Sequence, residues 1–220
     1  MHPVGTDSVL LGAWAAIRPG IRRILDIGTG TGAIALFLAQ RTESFELPPA
    51  IFGVEVDLET ARYAAENFGN APWPDRMKVI QTTIQEFEAE PFDLIVSNPP
   101  FFSSARIPED PRRRLGRHTA SLSPGELIAA VNRLLAADGI FCAVLPPEEG
   151  RRLQEFGAMS GLYCTALTEV FTRCGKPVER FLLQFERNPM DFRRQKLLLF
   201  DENGTPAPEW HAMTKDFYLG

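Results

Sequence analysis

Short apolar runs alternate with longer amphipathic stretches along most of this chain. Residues 22–27, 51–55, 77–82, 92–97 and 140–145 are dense in aliphatic and aromatic side chains, the pattern of buried strands. Between and around them, residues 7–16, 33–41, 58–68, 123–135 and 153–159 read as helices. Thr6 is placed to cap the first, and Pro124 falls in the first turn of the fourth. Strands alternating with helices predict an α/β fold built on a parallel sheet. Asp138-Gly139 is expected to turn the chain into the strand at 140–145, which Pro146-Pro147 ends. Later the pattern changes. Residues 163–171 and 178–186 read as two strands joined by a turn around Cys174-Gly175-Lys176-Pro177, an antiparallel pair. A last apolar strand, 197–200, follows the basic cluster Arg193, Arg194 and Lys196, which suits either RNA contact or a solvated face. Residues 44–49 and 69–74 are turn-rich, and Trp73 is placed to staple the second of these loops to the body. There is no internal repeat and no low-complexity tract.

The ends of three strands carry the candidate chemistry. After residues 22–27 comes Gly28-Thr29-Gly30-Thr31-Gly32, then the almost wholly apolar helix 33–41. Strand, glycine turn and helix form the first half of a nucleotide-binding βαβ unit, in which glycines let the backbone approach a ligand with no Cβ in the way. The spacing is G-x-G-x-G, which is not the dinucleotide fingerprint and argues against an oxidoreductase. The second strand ends in Glu55, 23 positions after Gly32. An acid there can accept hydrogen bonds from ribose hydroxyls, or cap the following helix. Asp57 is the better candidate for the cap. At the end of residues 92–97 stands Asn98-Pro99-Pro100-Phe101. Two prolines stop the strand and stiffen its exit. The result is a side-chain amide and an aromatic ring at the carboxyl end of a parallel-type strand, where open α/β sheets bind ligands. An amide oxygen and a ring suit a flat molecule with an amino group. The alternative is a Pro-rich strand exit with a capping Asn.

Composition narrows the class. At 220 residues with 45% hydrophobic content, the chain suits one compact enzyme domain. Cys142, Cys164 and Cys174 lack metal or redox spacing, and their odd number favours a reducing cytoplasm. His2, His118 and His211 are too dispersed for a zinc site, so no metal is expected. No signal peptide or long apolar span is present, so no membrane partner is expected. The net charge of −5 argues against nucleic acid until its distribution is considered. Arg106, Arg112, Arg113, Arg114 and Arg117, against only Glu109 and Asp110, directly follow the Asn-Pro-Pro-Phe box in a Pro- and Arg-rich segment that reads as an exposed loop. Arginine pairs phosphates bidentately and stacks on bases.

The order of these features resembles the class I S-adenosylmethionine-dependent methyltransferases that modify exocyclic or side-chain amino nitrogens. A narrower resemblance covers nearly the whole chain. Val4-Gly5-Thr6-Asp7-Ser8-Val9-Leu10-Leu11-Gly12-Ala13-Trp14, Leu25-Asp26-Ile27-Gly28, Ile95-Val96-Ser97-Asn98-Pro99-Pro100-Phe101, Arg117-His118-Thr119 and Asp216-Phe217-Tyr218-Leu219 are similar to the bacterial tRNA1(Val) adenosine-37 N6-methyltransferases. The resemblance implies a Rossmann-like class I methyltransferase fold: a mainly parallel seven-stranded sheet with a C-terminal antiparallel strand pair. It implies a single domain over 1–220, with an N-terminal cap helix at about 6–17 and the strand pair and tail at about 162–220. It implies a cytoplasmic enzyme that methylates adenosine N6 in tRNA with S-adenosylmethionine, gives S-adenosylhomocysteine, and needs no obligatory protein partner. Rivals are methylation of a protein glutamine or a DNA adenine through the same box, and a non-catalytic adenosine-ligand-binding module. Carried over residue by residue, the catalytic box is Asn98, Pro99, Pro100 and Phe101. The cofactor contacts are Thr6, Asp26, Gly28, Gly30, Gly32, Glu55, Val56, Thr83 and Ile84. The RNA contacts are Arg106, Arg112, Arg113, Arg114, Arg117 and His118. Three departures stand out. Family members carry further residues ahead of the V-G-T-D segment, whereas this chain opens at Met1. Phe101 stands where Tyr is common, which keeps the stacking face and loses a hydroxyl. Thr83 stands where an Asp commonly meets the cofactor adenine.

Overall fold

The computed structural model describes residues 5–100 and 122–217. Among them, eight strands form one sheet: β1 (Arg23–Ile27), β2 (Ala50–Glu55), β3 (Met77–Gln81), β4 (Phe92–Ser97), β5 (Leu135–Leu145), β6 (Tyr163–Phe171), β7 (Val178–Glu186) and β8 (Arg193–Leu198). Their spatial order is β3-β2-β1-β4-β5-β7-β6-β8. Strands β1 to β5 are mutually parallel. β7 runs antiparallel between β5 and β6, and β8 lies parallel to β6 along the outer edge. The chain winds outward from β1 to β3, then returns to β1's other side with β4. That reversal makes the carboxyl ends of β1 and β4 a switch point, where such sheets bind ligands.

Helices α1 (Thr6–Trp14), α2 (Ala33–Arg41), α3 (Leu58–Asn70), α4 (Pro124–Leu134), α5 (Pro147–Met159) and α6 (Pro208–Thr214) cover the sheet. Alternation along each strand sends neighbouring side chains to opposite faces. Ile24, Leu94, Cys142 and Leu182 therefore pack with Leu10, Leu38, Phe68 and Trp210, from α1, α2, α3 and α6. Leu25, Ile95, Phe141 and Leu183 pack with Leu127, Val131 and Leu153, from α4 and α5. Two buried faces explain why the central strands read as unbroken apolar runs.

The structure corrects several sequence expectations. The sheet has eight strands where seven were expected. The strand expected at 197–200 lies earlier: β8 begins at Arg193 and ends at Leu198, and its first four residues are exposed, and so gave no burial signal. β5 starts at Leu135, earlier than the expected Ile140, but its regular pairing with β4 begins at Ile140: the register jumps from Phe92↔Leu135 to Leu94↔Ile140, which leaves Asp138-Gly139 in an irregularity of the strand. α5 begins at Pro147 and not at 153, because a proline lacking its N–H is no handicap in a first helical turn. Thr6 does not cap α1. Gly5 is the N-cap, and no side chain bonds there. The cap expected from Asp57 does form: its Oδ1 accepts from Thr60 N at 2.8 Å. Cys142 is buried, whereas Cys174 is exposed in the β6–β7 turn.

Candidate active site

The glycine turn links β1 to α2 and is shaped by backbone conformations that only glycine adopts readily. Gly28, Gly30 and Gly32 have φ of 68°, 58° and 86°. Gly28 N and Thr29 N both donate to Val54 O, at 2.9 and 3.0 Å, and so tie the turn to β2. The three glycines differ in what lies above them. A Cβ at Gly32 would sit 2.4 Å from Phe68 Cε1, so Gly32 is required for packing. At Gly28 and Gly30 a Cβ would meet no atom of the described residues within 4 Å, so among these their outer side is open to an approaching molecule. Gly53 on β2 also makes room: a Cβ there would lie 2.7 Å from Thr29 Cγ2.

Asp26, at the root of the turn, is fully buried. Its Oδ2 accepts from Thr29 Oγ1 at 2.7 Å, while Oδ1 has no partner. Burial pushes the carboxyl up to about 7; the Thr29 bond and the backbone N–H of Ala35 oppose this, and the nearby Glu55 charge adds to it. A buried, half-satisfied acid is unfavourable by itself.

Glu55 ends β2 at the open side of the turn. Its Oε2 accepts from Gly30 N and its Oε1 from Asp57 N, both at 3.0 Å. The helix-capping role falls to Asp57. Glu55 instead clips the glycine turn, and an ionised carboxylate with about four lone-pair sites keeps capacity for hydroxyl donors. Val56 follows, half-buried, with its carbonyl held by Gln81 Nε2 at 2.9 Å. Gln81 pairs with Glu55 across β2–β3, so Thr83 and Ile84 leave the sheet at the same edge. Thr83 Oγ1 donates to Glu86 Oε2 at 3.0 Å. Ile84 is buried, and its carbonyl accepts from Arg133 Nη2 at 2.7 Å.

At the end of β4, buried Ser97 donates to Ile27 O at 2.9 Å and locks the strand to β1. Ile27 pairs with both Val54 and Ser97. The next residues, Glu55, Gly28 and Asn98, therefore stand side by side at one edge. With neighbouring strands about 4.8 Å apart, Glu55 and Asn98 flank the turn at about 10 Å from each other. Asn98 is half-buried, Pro99 buried and Pro100 exposed. Phe101 and the RNA candidates Arg106, Arg112, Arg113, Arg114, Arg117 and His118 lie outside the described residues. Thr6 is exposed at the start of α1, and no hydrogen bond among the described residues joins it to the turn. Thr29 and Ser97, which the sequence pattern did not single out, bind the site together. The signal for Thr29 was a hydroxyl between two glycines, three residues after a buried acid.

Among the described residues no helix is long and apolar enough to cross a membrane, and no group of three or more His, Cys, Asp or Glu is placed to hold a metal ion. Residues 8–148 match the family model described as the methyltransferase small domain. The chain is 41% identical over 216 residues to the tRNA1(Val) (adenine(37)-N6)-methyltransferase of Aeromonas hydrophila, covering 98% of this chain and 90% of that one. It is 40% identical to the protein of the same name from Tolumonas auensis, with the same coverage. Among solved structures, a predicted O-methyltransferase of Agrobacterium tumefaciens superposes with a TM-score of 0.73 at 17% identity, over 96% of both chains. A glycopeptide N-methyltransferase complexed with S-adenosylmethionine superposes at 0.58 and 13% identity, over 84% of this chain and 100% of that one. These structural likenesses speak for the fold, and the close sequence relatives for descent: this chain belongs to the methyltransferase small-domain family and, within it, to the tRNA1(Val) (adenine(37)-N6)-methyltransferases.

Proposed function

We propose that this protein transfers a methyl group from S-adenosylmethionine to the exocyclic N6 of an adenosine in tRNA, with adenosine 37 of tRNA1(Val) as the target. The observation that carries the reading is the alignment of Glu55, the open face of Gly28 and Gly30, and Asn98 along one sheet edge in a chain of this family. The residues present fit the cofactor. The unpartnered Asp26 Oδ1 is the group a cationic amino acid moiety would satisfy. The open glycines admit close approach, and Glu55 has acceptor capacity for ribose hydroxyls. When bound, the cofactor supplies an electrophilic methyl carbon on a sulfonium. Val56, Thr83 and Ile84 are assigned to the adenine end, with Thr83 standing where the family commonly carries an Asp. Thr6 is assigned to the same cofactor site from the resemblance.

The remaining chemistry belongs to the Asn98 box. An adenine N6 lone pair is delocalised into the ring and is a poor nucleophile. Asn98 Oδ1 and the Pro99 carbonyl would each accept one N6 hydrogen, which draws the amino group towards a tetrahedral shape and fixes the direction of its lone pair. Positioning of this kind can supply a large share of the barrier reduction. Phe101 would stack on the base and hold its plane, with Pro99 and Pro100 stiffening the segment that presents both groups. Once methylated, N6 is acidic enough to lose its proton to water, so the box needs no strong base. Arg106, Arg112, Arg113, Arg114, Arg117 and His118 would hold phosphates around a base released from its stack, which costs a few kcal/mol.

The test is single-turnover methylation of unmodified tRNA by Asn98→Ala, with cofactor affinity measured alongside. Losing a placed polar group in the transition state costs about 3–4 kcal/mol, or roughly a hundred- to thousandfold in rate. Cofactor affinity should stay near the parent's. A rate near the parent's would mean the box is structural and the proposed function wrong.

A further inference from the structure

We propose that edge strand β8 is a second docking surface, for the tRNA sugar-phosphate backbone, through Arg193, Arg194 and Lys196; this rests on the tRNA substrate proposed above. The site chemistry leaves this cluster unused. Three of its four consecutive residues, Arg193 to Lys196, are cationic and all four are exposed, on a chain whose net charge is −5; Arg194 and Lys196 stand on one face of the sheet and Arg193 on the other, so the three border the outer edge from both sides. β8 ends the sheet, so its outer edge has no strand partner among the described residues.

Strand register relates this edge to the candidate active site. Ser97 pairs with Ala143, Ala143 with Leu183, Leu183 with Leu167, and Leu167 with Arg194. β8 is parallel to β6, and through β7 to β5 and β4, so it runs in the same direction as β4. Arg194 is therefore level with the residue before Asn98, four strands away, which is about 19 Å along the sheet. Successive nucleotides of one strand rise about 3.4 Å, so that span is about six nucleotides. A ligand that reaches both places is a polymer longer than a loop apex, not a free nucleoside.

The local geometry suits phosphates and a ring. A recess of about 660 Å³ is lined by Glu169, Phe171, Arg194, Gln195 and Lys196. Glu169, which is 7% exposed, accepts from Arg194 Nη2 at 2.6 Å and so fixes the guanidinium. A guanidinium carries five donors, and one carboxylate contact does not exhaust them. Lys196 Nζ stands 5.8 Å from the Phe171 ring centroid. Held cations beside an aromatic face are what a ribose-phosphate chain uses. The competing role is protective, since charges on an edge strand also block edge-to-edge association.

The experiment measures tRNA affinity as a function of salt for the parent, R193Q/K196Q and R193E/K196E. Arg194 is kept, because removing it would strand buried Glu169. Two lost phosphate contacts should flatten the slope of log affinity against log salt by about 1.4, and lower affinity by about 25-fold at 0.1 M salt. The charge-reversed variant should lose more, and cofactor affinity should not change in either. A slope equal to the parent's in both variants overturns the inference. Self-association of the variants with an unchanged slope also overturns it and assigns the charges to edge protection. Mass spectrometry of nucleosides from tRNA treated with the parent keeps the two readings apart. Absence of N6-methyladenosine there removes the proposed function, while the slopes still decide whether β8 binds RNA.

Discussion

Gly30→Ala and Gly32→Ala should separate the cofactor surface from the packing that supports it. Both residues have φ in the left-handed region, 58° and 86°, which costs an alanine about 1–2 kcal/mol. At Gly30 that is the whole cost, because a Cβ meets no atom of the described residues within 4 Å. At Gly32 a Cβ would lie 2.4 Å from Phe68 Cε1, and Phe68 is only 2% exposed, with little room to retreat. Overpacking of that kind adds about 1–3 kcal/mol, for a total of about 2–5 kcal/mol. For a domain of this size each kcal/mol moves Tm by about 2–4 °C, so Gly32→Ala should melt clearly below Gly30→Ala. Cofactor binding should rank the other way. The new methyl at Gly30 fills the open side where the ligand would approach, whereas the Gly32 methyl points into the core against α3. Thermal melts and calorimetric titration with S-adenosylhomocysteine give both rankings. Parent-like affinity in Gly30→Ala would refute the assignment of that open face to the cofactor.

Further expectations concern the two acids. Asp26 has its pKa raised from 3.8 to about 7, so its stabilising contribution is fully present below about pH 4 and is lost as pH rises through 7. Asp26→Asn should therefore gain on the parent between pH 5 and pH 8, by up to about 3 kcal/mol in urea melts, and a gap that does not change with pH would count against the buried charge. Because a cationic ligand favours the ionised form, the parent's cofactor affinity should fall as pH drops below about 7, and titrations at pH 6 and 8 would read this directly. Glu55→Ala should weaken cofactor binding by about 1–3 kcal/mol, since it leaves donors unpaired at a part-buried site. Unchanged calorimetric affinity would take Glu55 out of the site.

The sequence by itself determined the α/β class, the first five parallel strands and the antiparallel pair. Continuous apolar runs announce strands buried on both faces, and glycine, proline and acid punctuation marks where they end. It also determined the chemical types at the site: the glycine turn, Glu55, and Asn98 before two prolines. Tertiary structure decided what periodicity does not encode. The start of β8 was hidden because its first four residues are exposed and leave no burial pattern to read, so only its apolar end at 197–198 showed as a strand. Where β5 begins also depends on β4, which pairs with Leu135 and again from Ile140 but skips residues 136–139 between them. Which glycine faces open space and which faces Phe68 depends on α3, brought up from 36 residues further along the chain. The half-satisfied state of Asp26, the Glu55 clip on Gly30 and the levelling of Arg194 with Ser97 are equally non-local. Each depends on strand order and register, which long-range packing sets.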